Sequence, residues 1–163
     1  MFVGVVSDTH NRTAHVQKII SIFNSHKVAL VIHAGDITNA QTLERFSKLN
    51  CPLKGVYGNN DLKEEGLEAV SLENGFDFRL PPNVFSFANR KIAVFHEPDP
   101  IESFLKNEKN IDLILHGHTH RFRDEEISGI KIINPGECAG IIKGKNSIGI
   151  LDLKDLNLER IFF

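Results

Sequence analysis

Phe2-Val3-Gly4-Val5-Val6-Ser7-Asp8-Thr9-His10, near the start of the chain, is a short apolar run followed by polar residues. A short apolar run bounded by polar residues is typical of a buried β-strand. Open α/β proteins place their chemistry at the carboxyl ends of such strands. The stretch therefore predicts a strand that brings Asp8 and His10 to one edge of a sheet.

The same unit occurs twice more in the first third of the chain. Two segments with apolar side chains at three- and four-residue spacing, which predict helices, separate two further apolar runs from the first. The run at 28–32 ends at Asp36, and the run at 53–57 ends at Asn59. Alternating strands and helices predict a parallel sheet with its strand carboxyl ends on one edge. We therefore expect the polar residues that follow these strands to lie together.

The second half of the chain is richer in predicted strands and more antiparallel. Paired apolar runs predict hairpins at 84–95, 122–133 and 148–162, and a helix is predicted after Pro100. Two facing sheets with helices outside would account for both halves. The predicted fold class is α/β, a two-sheet β-sandwich flanked by helices, formed by a single domain over 1–163.

A further apolar run ends in three histidines, in the stretch Ile114-Leu115-His116-Gly117-His118-Thr119-His120. Gly117 predicts a turn that would splay the histidines, so that some converge on a centre and one does not. Imidazole is the commonest metal ligand, which favours a metal site here. A cluster of surface histidines is the alternative at this point.

Composition and charge exclude several classes of function. The formal net charge of −2 is against wholesale binding to a nucleic-acid backbone or an anionic membrane, and no apolar run is long enough for a membrane span. The two cysteines, Cys51 and Cys138, are far apart, which predicts reduced thiols and a cytoplasmic protein. A homodimer and a higher homo-oligomer both remain open.

Seven polar side chains at predicted strand ends form one candidate constellation: Asp8, His10, Asp36, Asn59, His96, His118 and His120. Two carboxylates, one amide and four imidazoles are too many ligands for one tetrahedral metal. They suit two metals that share a bridging carboxylate. Mixed nitrogen and oxygen ligands without thiolate favour Mn, Fe, Co, Ni or Zn over Ca or Mg.

In this order, four short motifs resemble those of the calcineurin-like metallophosphoesterase superfamily: Asp8-x-His10, Gly35-Asp36, Gly58-Asn59 and Gly117-His118-x-His120. The chain length, the turn Asn134-Pro135-Gly136 and the Gly-Asn-x-Asp form of the third motif resemble the superfamily's short prokaryotic phosphodiesterase branch (YfcE-like). The resemblance covers essentially the whole chain and implies the two-sheet sandwich already predicted.

The resemblance also implies roles for the seven residues. A first metal would be bound by Asp8, His10 and His120. A second would be bound by Asn59, His96 and His118, with Asp36 as the bridge. The implied reaction is attack of a metal-activated hydroxide on phosphorus, with Asp36, Asn59 and His118 as catalytic residues and two divalent transition-metal ions, Mn first among them, as cofactors.

Formal charges favour a small phosphodiester as the substrate. Two divalent ions, two carboxylates and one hydroxide sum to about +1, which a monoanionic diester neutralises. A dianionic monoester would need extra cations, for which Arg12 and Arg121 are the obvious candidates. A phosphomonoesterase and a non-catalytic scaffold of the same fold are the alternatives, and a long nucleic acid is not an expected partner.

Two positions depart from the pattern of many superfamily members. Asn60 stands where many members have a histidine placed to protonate the leaving oxygen, and an amide cannot act as an acid. This predicts a preference for good leaving groups such as aryl oxides. His96 is followed by Glu97-Pro98-Asp99 rather than by glycine, which makes it the least certain of the seven ligands.

Each motif also has a purely structural alternative. Asp8, Asp36 and Asn59 are residue types that cap helices and form turns. His33 and His116, each close in sequence to a candidate ligand, are predicted to be core residues or to support the ligands rather than to bind metal.

Overall fold

The three strands predicted at the start of the chain lie side by side and parallel in one sheet. The computed structural model describes residues 1–163. The sheet contains, in adjacent positions, β1 (Phe2–Val6), β2 (Val31–His33), β3 (Leu53–Val56) and β4 (Asp77–Arg79). One helix connects each successive pair: α1 (Thr13–Ser25), α2 (Ala40–Arg45), extended by a 3₁₀ turn at Phe46–Lys48, and α3 (Leu67–Glu73).

The last hairpin of the chain completes this first sheet on the other side of β1. It consists of β10 (Ser147–Asp152) and β11 (Asn157–Phe162). β10 runs antiparallel to β1, so that Val3 lies opposite Leu151, and the sheet has the order β11-β10-β1-β2-β3-β4. The sequence predicted this hairpin but gave no signal for the sheet that it joins.

The second sheet has five strands: β5 (Asn83–Phe87), β6 (Arg90–Val94), β7 (Leu113–Leu115), β8 (Arg123–Ile127) and β9 (Ile130–Asn134). Their order is β5-β6-β7-β9-β8, with β6, β7 and β9 parallel to one another. The helix α4 (Ile101–Asn107) packs on its outer face through Ile101. The two hairpins predicted within this region are β5–β6 and β8–β9.

Three apolar layers hold the two sheets and the helices together. The layer between the sheets contains side chains such as Val5 and Leu115, both with no exposed surface. A second layer, which includes Phe23 and Phe46, lies between the first sheet and its helices, and a third lies under α4. Burial of a large apolar side chain contributes about 1.5–3 kcal/mol, so these layers dominate the stability of the fold. The predicted helix-flanked two-sheet sandwich is confirmed.

The differences from the predicted elements are local. α1 ends at Ser25, and α2 ends at Arg45 rather than near residue 49 because the chain tightens into the 3₁₀ turn. The short edge strand β4 was not predicted, since its sequence Asp-Phe-Arg has little β-character. None of the helices combines the length and the apolar character that crossing a bilayer requires.

Candidate metal centre

All seven predicted site residues lie together at one edge of the sandwich, the rim, where strands of both sheets have their carboxyl ends. Asp8 and His10 follow β1, Asp36 follows β2 and Asn59 follows β3. The second sheet contributes the other three, because His96 follows β6 and the pair His118 and His120 follows β7. Each residue is thus delivered by the end of a strand, as the sequence pattern predicted.

Asp8, His10 and His120 form one group within this rim. Their candidate ligand atoms all lie within 4.8 Å of one another. The Nε2 atom of His120 lies 3.2 Å from Oδ1 of Asp8, and this contact raises the pKa of His120 despite partial burial. The Nε2 atom of His10 is buried and has no hydrogen-bond partner.

Asn59, His96 and His118 form a second group around one oxygen atom. Oδ1 of Asn59 lies 2.9 Å from Nε2 of His96 and 3.1 Å from Nδ1 of His118. The other ring nitrogen of His96, Nδ1, lies 2.8 Å from the carbonyl oxygen of Ala34, to which it can only donate. A neutral His96 would therefore direct its Nε2 lone pair at the oxygen of Asn59.

Asp36 lies between the two groups. Its Oδ1 atom is 3.4 Å from Nε2 of His96, and its Oδ2 atom is 4.0 Å from Nε2 of His10. Burial opposes ionisation of this carboxyl, but contacts with His96 and Asn60 outweigh burial and hold its pKa well below the usual range. Burial likewise opposes protonation of His96, but Asp36 raises its pKa above the usual value.

Five of the seven candidate ligands have a left-handed backbone conformation. The φ angles are +52° at Asp8, +44° at His10, +61° at Asp36, +65° at His118 and +56° at His120. This conformation costs a residue other than glycine about 1–2 kcal/mol. Non-glycine residues in this region cluster at functional sites, where the surrounding fold supports the strain. The turn after each strand thereby directs the side chain toward the other candidate ligands.

Two glycines allow the loops of the rim to approach one another closely. A Cβ atom at Gly58 would overlap the carboxylate of Asp36. A Cβ atom at Gly117 would overlap the hydroxyl of Ser7 and would lie 2.7 Å from Oδ2 of Asp8. The sequence predicted that Gly117 ends the strand by turning, but its φ is not positive, and the requirement is instead for space.

Asp61 braces the loops that carry Asp36 and Asn59, a role that the sequence analysis missed. Its buried carboxylate accepts hydrogen bonds from four backbone N–H groups, those of Asp36, Ile37, Thr38 and Gly58, at 2.7–2.9 Å. Burial raises the pKa of Asp61, and the hydrogen bonds oppose that shift. The sign of this role in the sequence is an acidic residue two positions after Asn59.

Further buried polar residues fix the ends of the other strands. The Ser7 hydroxyl donates to Oδ2 of Asp8 at 2.6 Å. Asn134 donates to the carbonyl oxygen of Gly117 at 2.9 Å, which links β9 to the loop of His118. The turn predicted at Asn134 therefore supports the rim from the side of the second sheet.

His33 and His116 are buried and lie outside both groups of candidate ligands, as predicted. Nδ1 of His33 accepts a hydrogen bond from the N–H of Gly35 at 3.1 Å, so its Nε2–H donates to the hydroxyl of Thr9 at 3.0 Å. Burial lowers the pKa of His33 to about 3, and burial also lowers the pKa of His116. Both are therefore neutral core histidines at neutral pH.

The chemistry of the rim fits divalent cations. Asp8 and Asp36 have at most 2% of their surfaces exposed, and histidines are their only ion-pair partners. Two buried carboxylates without a lysine or arginine partner require positive charge from protonated histidines or from a bound cation that displaces those protons. The unpartnered Nε2 of His10 and the oxygen-facing Nε2 of His96 are both atoms that a cation would satisfy.

Comparison with known proteins shows relatives for the chain as a whole. Residues 1–156 match the model of the calcineurin-like phosphoesterase superfamily domain. The chain is 35% identical over 165 residues to a phosphodiesterase (MJ0936) of Methanocaldococcus jannaschii, covering 99% of this chain and 98% of the relative. It is also 26% identical to the vacuolar protein sorting-associated protein 29 of Schizosaccharomyces pombe, covering 86% of this chain and 73% of that protein.

Solved structures show the same architecture. The structure of an archaeal phosphodiesterase, 32% identical in sequence, superimposes with a TM-score of 0.90 and covers 100% of each chain. The phosphoesterase YfcE from E. coli, at 20% identity, has a TM-score of 0.71 and covers 99% of this chain and 98% of its own. The predicted resemblance and the prediction of a phosphoesterase are confirmed, and the chain belongs to the calcineurin-like phosphoesterase superfamily.

Proposed function

We propose that this protein is a metal-dependent phosphodiesterase that hydrolyses a small phosphodiester. The observation that carries the proposal is the placement of Asp36. This carboxylate lies between a group formed by Asp8, His10 and His120 and a group formed by Asn59, His96 and His118. Its two oxygens face different groups, as a bridging ligand of two metals requires.

Two divalent transition-metal ions would be held by these residues, with Asp36 shared. When bound, such ions lower the pKa of a water molecule and neutralise charge on the phosphoryl oxygens. Imidazole, amide and carboxylate ligands without thiolate support Mn as the first candidate, with Fe, Co, Ni and Zn as alternatives.

The charges around the centre support a diester as the substrate. Apart from the histidines, no cationic side chain pairs with Asp8 or Asp36. Nε of Arg12 donates to the carbonyl oxygen of Ala139 at 3.0 Å, and Arg121 is exposed. A centre with a formal charge of about +1 suits a monoanionic diester better than a dianionic monoester.

The residues of the chain position the reacting groups rather than exchange protons with the leaving oxygen. Asn60 donates to Asp36 and offers no acidic proton. The leaving oxygen would therefore depart as an anion, which suits an aryl oxide. The net charge of −2 supports a small diester over a long nucleic acid.

The relatives include vacuolar protein sorting-associated proteins, which makes a non-catalytic scaffold the alternative function. All seven predicted positions hold side chains that can bind a metal, which favours the enzyme, and metal-dependent hydrolysis is the property that separates the enzyme from the scaffold.

The deciding assay compares bis(4-nitrophenyl) phosphate with 4-nitrophenyl phosphate, with and without Mn²⁺. Wild type should hydrolyse the diester faster than the monoester, and only with metal. Asp36→Asn should lose at least about 100-fold in kcat/KM, and the exposed Asp155→Asn should retain full activity. Absence of metal-dependent hydrolysis of either ester would support the scaffold, and faster hydrolysis of the monoester would support a phosphomonoesterase.

A further inference from the structure

A cavity of about 210 Å³ opens directly beside the second group of the candidate metal centre. Gly58, Asn59 and His96 form the part of its lining that is shared with the centre. We propose that this cavity receives an uncharged, flat aromatic substituent of the substrate, an inference that rests on the phosphodiesterase function proposed above.

The remaining walls are mostly apolar and come from distant parts of the chain. Leu62 follows the loop of Asn59, and Phe95 precedes His96 at the end of β6. The segment Leu80-Pro81-Pro82 connects β4 to β5 and so crosses from the first sheet to the second. The end of β3 contributes Tyr57. Three separate segments, 57–62, 80–82 and 95–100, thus converge on one largely apolar space.

Two aromatic side chains in these walls are held in place by neighbouring residues. Phe95 has 2% of its surface exposed and packs edge-on against Phe104, with ring centroids 5.1 Å apart. The hydroxyl of Tyr57 lies 3.2 Å from the hydroxyl of Ser71 and is therefore already partnered. Both side chains line the cavity, and aromatic groups prefer to pack against such rings.

Two leucines at the mouth are exposed although they are apolar. Leu62 has 62% and Leu80 67% of its surface accessible, and both line the cavity. An aromatic group bound beside them would cover part of this apolar surface, and its removal from water would favour binding.

The size of the cavity suits one small ring system. A dry cavity of about 150 Å³ admits benzene, whereas drug-sized ligands occupy pockets of about 300–1,000 Å³. At about 210 Å³ the cavity lies between these limits. A phenyl-sized group would fit beside the phosphorus-binding centre.

The charges of the lining exclude a second phosphate from this cavity. Its lining contains no lysine or arginine, and its one acidic side chain is the exposed Glu97. A phosphate placed there would be desolvated without a cationic partner, which is costly. The occupant is therefore an uncharged arm of the diester, while its phosphoryl group lies at the metals.

Binding of two non-hydrolysable probes separates this inference from catalysis. Phenylphosphonate and methylphosphonate carry the same anionic head but differ in the group offered to the cavity. Calorimetry on the Mn²⁺-loaded protein should show roughly tenfold tighter binding of phenylphosphonate. In the variant with Leu62→Ser and Leu80→Ser, that preference should fall to about twofold or less, with methylphosphonate affinity unchanged.

Leu72→Ser is the matched control, because Leu72 is 75% exposed and lies on α3 outside the cavity. It should retain the full phenyl preference. Equal binding of both probes by wild type, or an unchanged preference in the double variant, would overturn the aromatic cavity alone. Failure of both probes to bind would overturn the proposed phosphoryl-binding centre and the cavity's role with it.

Discussion

Asn60 holds both oxygens of the Asp36 carboxylate. Its backbone N–H donates to Oδ1 at 3.0 Å, and its side-chain amide donates to Oδ2 at 2.7 Å. The amide that replaces the expected histidine is thus engaged with the proposed bridging ligand. Its role is to orient that ligand, as residues around metal ligands commonly do.

The first prediction concerns this orienting contact. Asn60→Ala should lower kcat/KM for bis(4-nitrophenyl) phosphate by about 10–100-fold, because the carboxylate loses the donor that fixes Oδ2. Mn²⁺ affinity, measured by calorimetry, should weaken in the same variant. Asn107→Ala, which removes an exposed amide on α4, should change neither quantity. Full activity in Asn60→Ala would show that the backbone donor alone suffices.

The second prediction concerns the leaving group. Without an acid at residue 60, the rate should depend steeply on the stability of the departing oxyanion. A series of aryl methyl phosphates with leaving-group pKa values from roughly 7 to 10 should show a falling log(kcat/KM), and dialkyl phosphates should react slowest. Equal rates across aryl and alkyl diesters would contradict this and would require another proton donor.

The strand ends show how far the sequence predicts the centre. Asp8, Asp36 and Asn59 could be placed together because parallel strands deliver their carboxyl ends to one edge, a rule that needs no tertiary information. The placement of His96 and His118 beside them needed only the further prediction that the two sheets face each other.

Other features depend on contacts between distant segments and left little trace in the local sequence. Asp61 braces the loop of Asp36 from 25 positions away, and Leu80 lines the same cavity as Leu62 because the chain crosses between the sheets there. The left-handed backbone at five candidate ligands is likewise imposed by the fold, since aspartate and histidine adopt it only at a cost.

The third prediction tests the close approach at Gly117. Gly117→Ala places a methyl group against Ser7 and Asp8, so the rim must open and activity should fall at least about 100-fold, with a loss of stability of about 1–3 kcal/mol. Gly129→Ala is the control, because its Cβ would contact nothing within 4 Å. Its φ of +78° makes it destabilising by about 1–2 kcal/mol, but its activity should be unchanged. Thermal melts measure the stability of both variants, and assays at 25 °C measure their activity. Similar activities for the two variants would refute the steric argument.

The fourth prediction concerns protons displaced by metal. Asp36 raises the pKa of His96 against the effect of burial, and Asp8 raises that of His120, so the metal-free protein holds protons that a cation must displace. Mn²⁺ affinity should therefore increase as pH rises from 6 to 8. Calorimetry in two buffers of different ionisation enthalpy should show net proton release, which His96→Ala reduces and the exposed His26→Ala leaves unchanged. Zero release at pH 6.5 would contradict the assignment.

The fifth prediction uses the buried, neutral His33. Its pKa is lowered by burial from 6.5 to about 3, so between these pH values the unfolded chain binds a proton that the folded protein does not. The free energy of unfolding contributed by this residue is therefore intact above pH 6.5 and is lost as the pH falls, by about 2 kcal/mol between pH 7 and pH 5.

His33→Gln keeps a polar side chain beside Thr9 but cannot titrate. Urea unfolding of both proteins in the presence of a chelator, from pH 7 to pH 5, isolates the effect because the other histidines are common to both. The wild type should lose roughly 2 kcal/mol more than the variant over this range, whatever constant offset the substitution causes. Parallel curves would mean that His33 is protonated in the folded protein, in which case its Nδ1 could no longer accept the N–H of Gly35 and the turn before Asp36 would lose that support.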